Sequence, residues 1–436
     1  MDKISKIFFD KKILVYGLGK SGISTFHFLK KKNKVFLFDD NNKIKTTTQI
    51  KKKLLTVKKV FQTRFDFIIL SPGIDKNKCK LKKFLIRNKK LIYTDLDVFY
   101  SFYRNDCITL TGTNGKSTTC KLLYNILKDQ KKDVKLAGNI GIPILSVKKI
   151  FPKTIFIIEA SSYQLDYCKI FNSKYGAILN LSPDHIERHG NLKNYISAKF
   201  KLLKNQKKDS VGFVNKHDQL IQKKLKQNNF KNKIININTN LNNNILKNVK
   251  NKYFLSKSNQ ANLSFALEIA KHFRVKKKEL FKTVNNFYGL DYRQQIIFDK
   301  KNLTIINDSK STSYSSSVEI LKMYKNIYWL LGGIPKKADK FLLSKKYFHN
   351  IKCYIYGKNF NKFTKDLKNK IELSRFKNLK RALSAILKEI DNKKLTKNTI
   401  LFSPASASFD SFKNFEERGL YFNELIKKYL NERKIF

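Results

Sequence analysis

The sequence predicts an α/β protein of three domains, each built on mostly parallel strands, on the strength of three observations. At 436 residues the chain is long enough for about three domains of roughly 100–200 residues each. Short apolar runs rich in Ile, Val, Leu and Phe alternate along its length with segments of helical periodicity, the pattern of βα units. Two of these units carry a glycine-rich loop between strand and helix, and a further set of apolar strands follows toward the C-terminal end. The expected divisions are 1–94, 95–290 and 291–436.

Composition narrows the class. Hydrophobic residues at 42% and aromatics at 13% suit folded cores and exclude a mostly disordered or collagen-like chain. No apolar run of about 18 residues is present, so no membrane partner is expected. Met1-Asp2-Lys3-Ile4-Ser5 lacks the pattern of a secretory signal, and the expected location is cytoplasmic. The five cysteines are scattered without a Cys-x-x-Cys pair, which disfavours a disulfide framework or a zinc ribbon. A formal charge of +58 raises nucleic acid as a partner, but 81 of the 91 basic residues are lysine and only 10 are arginine. Arginine is the residue suited to bidentate phosphate and base contacts, so the charge reads as compositional bias and no nucleic-acid partner is expected. Lys223–Lys252, rich in Lys and Asn, reads as low-complexity surface inside a domain.

The first unit runs from Ile13-Leu14-Val15-Tyr16 through Gly17-Leu18-Gly19-Lys20-Ser21-Gly22 into a helix ending near Leu29, then to a strand, Val35–Phe38, closed by Asp39-Asp40. This G-x-G-x-x-G in a strand-to-helix setting, with an acid about 20 residues on, predicts a Rossmann-like domain holding a nucleotide diphosphate at a helix N-terminus. Alone it suggests NAD, although the glycines serve any nucleotide. Phe67–Leu70 followed by Ser71-Pro72-Gly73 reads as another strand and turn.

The second unit is more specific. Ile108–Leu110 leads into Thr111-Gly112-Thr113-Asn114-Gly115-Lys116-Ser117-Thr118 and a helix with Leu122, Leu123, Ile126 and Leu127 at helical spacing. Such a loop offers backbone N–H groups to phosphates, a lysine to the outer phosphates and a hydroxyl to Mg²⁺, so ATP is the expected nucleotide in a P-loop ATPase-like domain. A nicotinamide-dependent dehydrogenase would leave this loop unexplained. The last unit shows the short strands Leu303–Ile306, Ile327–Leu331, Cys353–Tyr356 and Thr399–Phe402, a second Rossmann-like domain.

The loop T-G-T-N-G-K-S-T departs from the general Walker pattern and resembles that of the Mur ligase superfamily, ATP-dependent amide-forming enzymes of peptidoglycan synthesis and folate polyglutamylation. Glu159-Ala160-Ser161-Ser162-Tyr163-Gln164-Leu165, Asn180–His185, Asn259 with Asn262, Asn307–Thr312, Leu331-Gly332-Gly333 and Ser403–Ser408 follow in the family's order. The first of these and the closing S-P-A-x-A-S-x-D-x-F-x-N-F-x-x-R-G, through Phe412, Phe415, Arg418 and Gly419, look like the branch that adds D-glutamate to UDP-N-acetylmuramoyl-L-alanine. The D-N-P-R motif of the diamino-acid branch is absent; other muramoyl-peptide ligases and folylpolyglutamate synthase are the rivals.

That resemblance implies roles. Gly112, Thr113, Asn114, Gly115, Lys116, Ser117, Thr118, Asn259, Asn262, Arg293 and Asp308 would bind ATP. Lys116, His185, Lys199 and Lys310 would be catalytic, with Ser117, Glu159, His185 and Lys199 holding two Mg²⁺ ions, Lys199 as a carbamate because an ammonium cannot ligate a metal. The UDP-muramoyl substrate would meet Gly17, Leu18, Gly19, Lys20, Ser21, Asp39, Asp40, Ser71, Pro72, Gly73, Asn139, Ser161 and Gln164. D-glutamate would meet Thr312, Lys336, Ser408 and Phe415, with Lys337 an alternative to Lys336. Tyr292 and Gln294 replace the histidine and acid often found beside Arg293. A monomer acting on small molecules is expected.

Overall fold

The computed structural model describes residues 7–41, 47–300, 302–336, 339–391 and 397–432. Three sheets organise them. The first has β1 (Lys12–Tyr16), β2 (Lys34–Phe38), β3 (Phe67–Leu70) and the short β4 (Ile92–Tyr93), all parallel in the order β2-β1-β3-β4. The second has β5 (Cys107–Thr111), β6 (Val134–Gly138), β7 (Ile155–Glu159), β8 (Tyr175–Ile178), β9 (Val211–Asn215) and β10 (Lys233–Ile237), parallel throughout in the order β10-β9-β8-β5-β7-β6. The third has β11 (Gln295–Lys300), β12 (Leu303–Asn307), β13 (Ile327–Gly332), β14 (Ile351–Tyr356), β15 (Glu372–Phe376) and β16 (Asn398–Phe402), in the order β11-β12-β16-β13-β14-β15. Only β11 is antiparallel, on the edge beside β12.

Central strands such as β5, β13 and β16 are buried along their whole length, as parallel strands covered on both faces require. Strand order places the ligand crevices. In the first sheet it reverses between β1 and β3, where the Gly17 loop and the Ser71 turn leave the sheet; in the second it reverses at β5, which feeds the Gly112 loop. Open α/β sheets bind ligands at such points, beyond the carboxyl ends of the strands.

The chain divides into two compact units, residues 1–248 with 260–284 and residues 249–259 with 285–436. The first holds two sheets because the helix Asp95–Phe102 closes a shared core. Its Leu96, Val98 and Phe99 belong to one cluster with Ile13, Val15 and Phe26 of the first sheet layer and Phe156 and Ile158 of the second. The expected division at 94/95 therefore runs through continuous packing. Lys223–Lys252 differs from the expectation of plain surface, since it supplies the edge strand β10 with Ile237 buried. The Lys/Asn-rich stretch around it protects that edge, because charge there discourages pairing with other chains. Among the described residues no helix is long and apolar enough to cross a membrane. Met1–Ser5 and Lys337 lie outside the described residues.

Candidate active site

The first glycine loop is closed by a carboxylate. Gly17 has φ of 95°, and a side chain there would strike Ile74 Cγ1 at 2.7 Å and Ser71 Cβ at 2.8 Å. A Cβ on Gly22 would fall 1.8 Å from the Gly17 carbonyl oxygen, so the helix Lys20–Leu29 packs directly on the strand end. Gly19 is different: nothing lies within 4 Å of its Cβ position. Two glycines thus serve packing and the third leaves a backbone approach open. Asp39 Oδ2 accepts from Leu18 N at 2.6 Å and its Oδ1 from Asn41 N at 2.8 Å, while Asp40 accepts from the Tyr16 hydroxyl at 2.7 Å. Ser71 Oγ donates to the Gly17 carbonyl at 2.7 Å, and Gly73 beside Pro72 has open space at its Cβ position. Lys20 is exposed and Ser21 half-buried at the helix start.

The second loop is closed by lysine side chains. Gly112 and Gly115 have φ of 153° and 82°, and a Cβ on Gly115 would meet Asn262 Oδ1 at 2.1 Å. Asn262 also accepts from Thr119 Oγ1. Lys116 Nζ donates to the carbonyls of Gly112 (2.9 Å) and Thr113 (2.8 Å), and Asn180 bonds both the N–H and the carbonyl of Asn114. Thr113 Oγ1 meets the Tyr195 hydroxyl at 2.9 Å. Ser117 Oγ donates to Glu159 Oε2 at 2.7 Å and Asn139 Nδ2 to Glu159 Oε1 at 2.8 Å, so Glu159 at the end of β7 has one oxygen held by the loop and the other by Asn139. Thr118 is buried behind them.

Lys199, on the helix Leu192–Lys204, is 2% exposed and donates to the Gly112 carbonyl at 2.8 Å and to Thr111 Oγ1. Burial, reinforced by the Lys116 charge, holds its amine well below the ordinary lysine range. His185 adopts the left-handed conformation (φ 53°) at the start of the short helix Ile186–His189, 3.4 Å from Asp184, with its ring centroid 5.1 Å from that of Tyr163. Burial lowers its pKa against the pull of Asp184 and Glu187, which keeps the imidazole neutral, as a metal ligand must be. Ser117 and Glu159 are brought together, and His185 is not joined to that pair. Among the described residues no three His, Cys, Asp or Glu side chains form a ready metal cluster. The donor set still suits a hard cation, because Ser117 and Glu159 present oxygens. Gln164 differs from a simple ligand in waiting. Its Oε1 accepts from Ser161 N in a capping box, and its Nε2 reaches Asp95 at 3.2 Å. Burial raises the Asp95 carboxyl to about 6.

In the second unit, Asp308 follows β12 and accepts from Ser403 Oγ (2.8 Å) and Gln294 N (3.1 Å). Burial raises it to about 7. Ser403 continues to Ser317 and Ser311 through buried hydroxyls at 2.7 and 2.8 Å. Arg293 sits between two non-glycine residues of positive φ, Tyr292 (62°) and Gln294 (52°), a strained turn held by Lys310 N donating to the Tyr292 carbonyl and by Gln294 N on Asp308. The Gln294 side chain also accepts from Asn259. Lys310 Nζ lies 3.9 Å from the centre of the Phe415 ring, a cation–π contact. Ser408 is buried and its carbonyl accepts from Ser411 N and Phe412 N; Thr312 is half-buried and Lys336 exposed.

Family models match residues 11–92, as "Mur ligase MurD-like, N-terminal domain", and residues 110–284, as "Mur ligase middle domain". The UDP-N-acetylmuramoylalanine–D-glutamate ligase of Rickettsia felis is 35% identical over 97% of this chain and 98% of its own length. The chain belongs to the Mur ligase family. The ligase of the same name from Buchnera aphidicola is 33% identical over 97% of this chain and 99% of its own. Among solved structures, MurF ligase from Thermotoga maritima in complex with ADP superposes with a TM-score of 0.57 at 14% identity, covering 98% of this chain and 99% of that one. MurC from the same organism gives 0.56 at 16%, covering 96% and 100%. This Mur ligase thus carries the family's α/β architecture.

Two arginines were given no role from the sequence. Arg418, inside the closing motif, is 1% exposed, and its guanidinium donates to Ser309 Oγ, the Ser309 carbonyl and the Ser406 carbonyl, joining the loop that bears Asp308 and Lys310 to the loop that bears Ser408. Arg188, three residues after His185, was signalled only by being an arginine in a lysine-rich chain.

Proposed function

We propose that the chain is an ATP-dependent ligase joining D-glutamate to the carboxylate of UDP-N-acetylmuramoyl-L-alanine, with release of ADP and phosphate, in cytoplasmic peptidoglycan precursor synthesis. One observation carries this reading: at the strand ends of the second sheet the Gly112 loop, Lys116, the Ser117–Glu159 pair and buried Lys199 converge. That is the equipment for activating a carboxylate by phosphoryl transfer, where positioning and charge neutralisation do nearly all the catalysis. Relatives 35% to 33% identical over almost the whole chain and named for D-glutamate addition support the substrates.

A substrate carboxylate oxygen attacks the γ-phosphorus of ATP, the bond to the β-phosphate oxygen breaks, and ADP leaves an acyl phosphate. The amine of D-glutamate adds to the acyl carbon, loses its proton, and phosphate departs. Lys116 steadies the transferring group, and the roles the resemblance gives Arg293, Asp308 and Lys310 are toward ATP. Lys336, Thr312, Ser408 and Phe415 serve D-glutamate. The Gly17 loop and the Ser71 turn receive the UDP diphosphate, with Asn139 and Ser161 toward the muramoyl group. Bound Mg²⁺ supplies charge neutralisation at the phosphates; Ser117 and Glu159 would hold one ion, His185 and a carbamate on Lys199 a second. The depressed Lys199 amine suits carbamate formation, since only the neutral amine adds CO₂. The functional divisions are 1–94, 95–290 and 291–436, acting as a monomer.

The test is phosphate release from ATP with UDP-N-acetylmuramoyl-L-alanine against a panel of D- and L-amino acids. Release dependent on D-glutamate alone is expected. Equal release with L-amino acids, or release without any amino acid, overturns the assignment.

A further inference from the structure

We infer that Arg188 is a positioning residue that couples the Ser71–Ile74 turn of the first sheet to the His185 corner of the second, so that seating the muramoyl nucleotide and placing His185 are one event. This rests on the function proposed above. Arg188 Nη2 donates to the carbonyl oxygens of both Pro72 (2.6 Å) and Ile74, and the Arg188 carbonyl accepts from Asn77 Nδ2 at 3.3 Å. Side chain and main chain of one residue therefore grip the same segment of the first sheet's turn.

The guanidinium also lies on an aromatic ring. Its carbon lies 3.6 Å from the centre of the Tyr163 ring. That ring stacks on His189 with an interplanar angle of 14° and meets His185 at 5.1 Å between centroids. His189 is fixed in turn by Ser162 Oγ at 3.0 Å. Toward the nucleotide loop, Ser71 Oγ holds the Gly17 carbonyl, and Ile74 occupies the space a side chain on Gly17 would need. An unbroken series of contacts thus runs from Gly17 through Ser71, the Pro72 and Ile74 carbonyls, Arg188 and Tyr163 to His185. Arginine can do this and lysine cannot, because a planar guanidinium donates to carbonyls in its plane while its face lies on an aromatic ring. Its use here is notable in a chain that has lysine at 81 of 91 basic positions.

The test uses the full chain with Arg188→Lys, Tyr163→Leu, Tyr163→Phe, the double variant Arg188→Lys/Tyr163→Leu, and Lys76→Ala, which removes a neighbouring ion pair to Asp166. Calorimetric affinity for UDP-N-acetylmuramoyl-L-alanine, affinity for ADP, and the Mg²⁺ concentration giving half-maximal phosphate release are measured for each. Arg188→Lys and Tyr163→Leu are expected to shift both nucleotide affinity and Mg²⁺ requirement at least tenfold, with ADP affinity changed less than twofold. Lys76→Ala should behave as the parent, Tyr163→Phe, which keeps the ring on the guanidinium, should lose far less than Tyr163→Leu, and the double variant should be no worse than the poorer single one, the mark of a shared path. Additive losses, a shift in nucleotide affinity alone, or an equal loss in Lys76→Ala overturns the coupling. If the parent binds ADP but no muramoyl nucleotide, the proposed function fails separately. Amide hydrogen exchange in ligand-free protein then decides: faster exchange of residues 71–77 in Tyr163→Leu supports the coupling, and unchanged exchange overturns it.

Discussion

The two glycine loops of the first unit leave equivalent places, each beyond a parallel strand at the reversal of its sheet, yet they are closed by opposite charges. In the Gly17 loop a carboxylate, Asp39, draws in the Leu18 N–H; in the Gly112 loop the Lys116 ammonium and the buried Lys199 amine donate to the Gly112 carbonyl. A loop that only holds a diphosphate needs backbone N–H groups and open space, which Gly19 leaves. A loop where a phosphoryl group is transferred needs cations aimed at charge that develops during the reaction.

The largest expected effect breaks the cationic loop. Lys116→Ala should lower kcat by at least ~100-fold, the loss of about 3 kcal/mol of transition-state stabilisation, while the affinity for the muramoyl nucleotide stays within a few-fold. Turnover near that of the parent would mean that transfer occurs elsewhere.

Lys199→Ala sharpens the distinction between a charge and a metal ligand. Activity should be low and partly restored by short carboxylic acids that can fill the vacated position, as followed by phosphate release over an acetate or formate titration. An ammonium role would predict rescue by alkylamines and none by carboxylates.

The carboxylate-closed loop separates by glycine. Gly19→Val should raise KM for the muramoyl nucleotide about tenfold with KM for ATP little changed, because the added methyls enter the open approach. Gly22→Ala should destabilise the protein instead, seen as a lower Tm with both KM values moving together, since its Cβ would lie 1.8 Å from a carbonyl oxygen.

The smallest effect concerns a carboxylate-closed turn in the second unit, where Asp308 receives Gln294 N much as Asp39 receives Leu18 N. Asp308 differs in being buried and titrating at about 7. A carboxyl raised in the fold binds its proton more tightly there than in the unfolded chain, so its contribution to stability is lost as pH rises from about 4 to about 7. The Tm of Asp308→Asn relative to the parent should therefore increase between pH 5 and pH 8. A pH-independent difference would show that the group titrates normally.

Much of this was legible in order along the chain. Strands Lys12–Tyr16, Phe67–Leu70 and Cys107–Thr111 follow from short apolar runs bounded by glycine or proline, and the helix Lys116–Asp129 from Leu122, Leu123, Ile126 and Leu127, all buried. The edge strand Lys233–Ile237 was hidden because its three isoleucines sit inside a long Lys/Asn-rich stretch and do not alternate cleanly with polar residues. Gln164 was legible as a motif residue, but its bonds to Asp95 join positions 69 apart.

The sequence by itself determined the βα alternation, the glycines at backbone turns and the residue types able to handle phosphate, because these depend on local sterics and periodicity. Only the tertiary structure decided that one core spans the first two sheets, that Asp39 and Lys116 close their loops from opposite charges, and that Lys199, Asp95 and Asp308 lose their ordinary pKa values. Those are consequences of burial and of contacts between residues far apart in the chain. Desolvation and such contacts have no period or motif in one dimension; they come into being when strand ends from distant segments meet and exclude water.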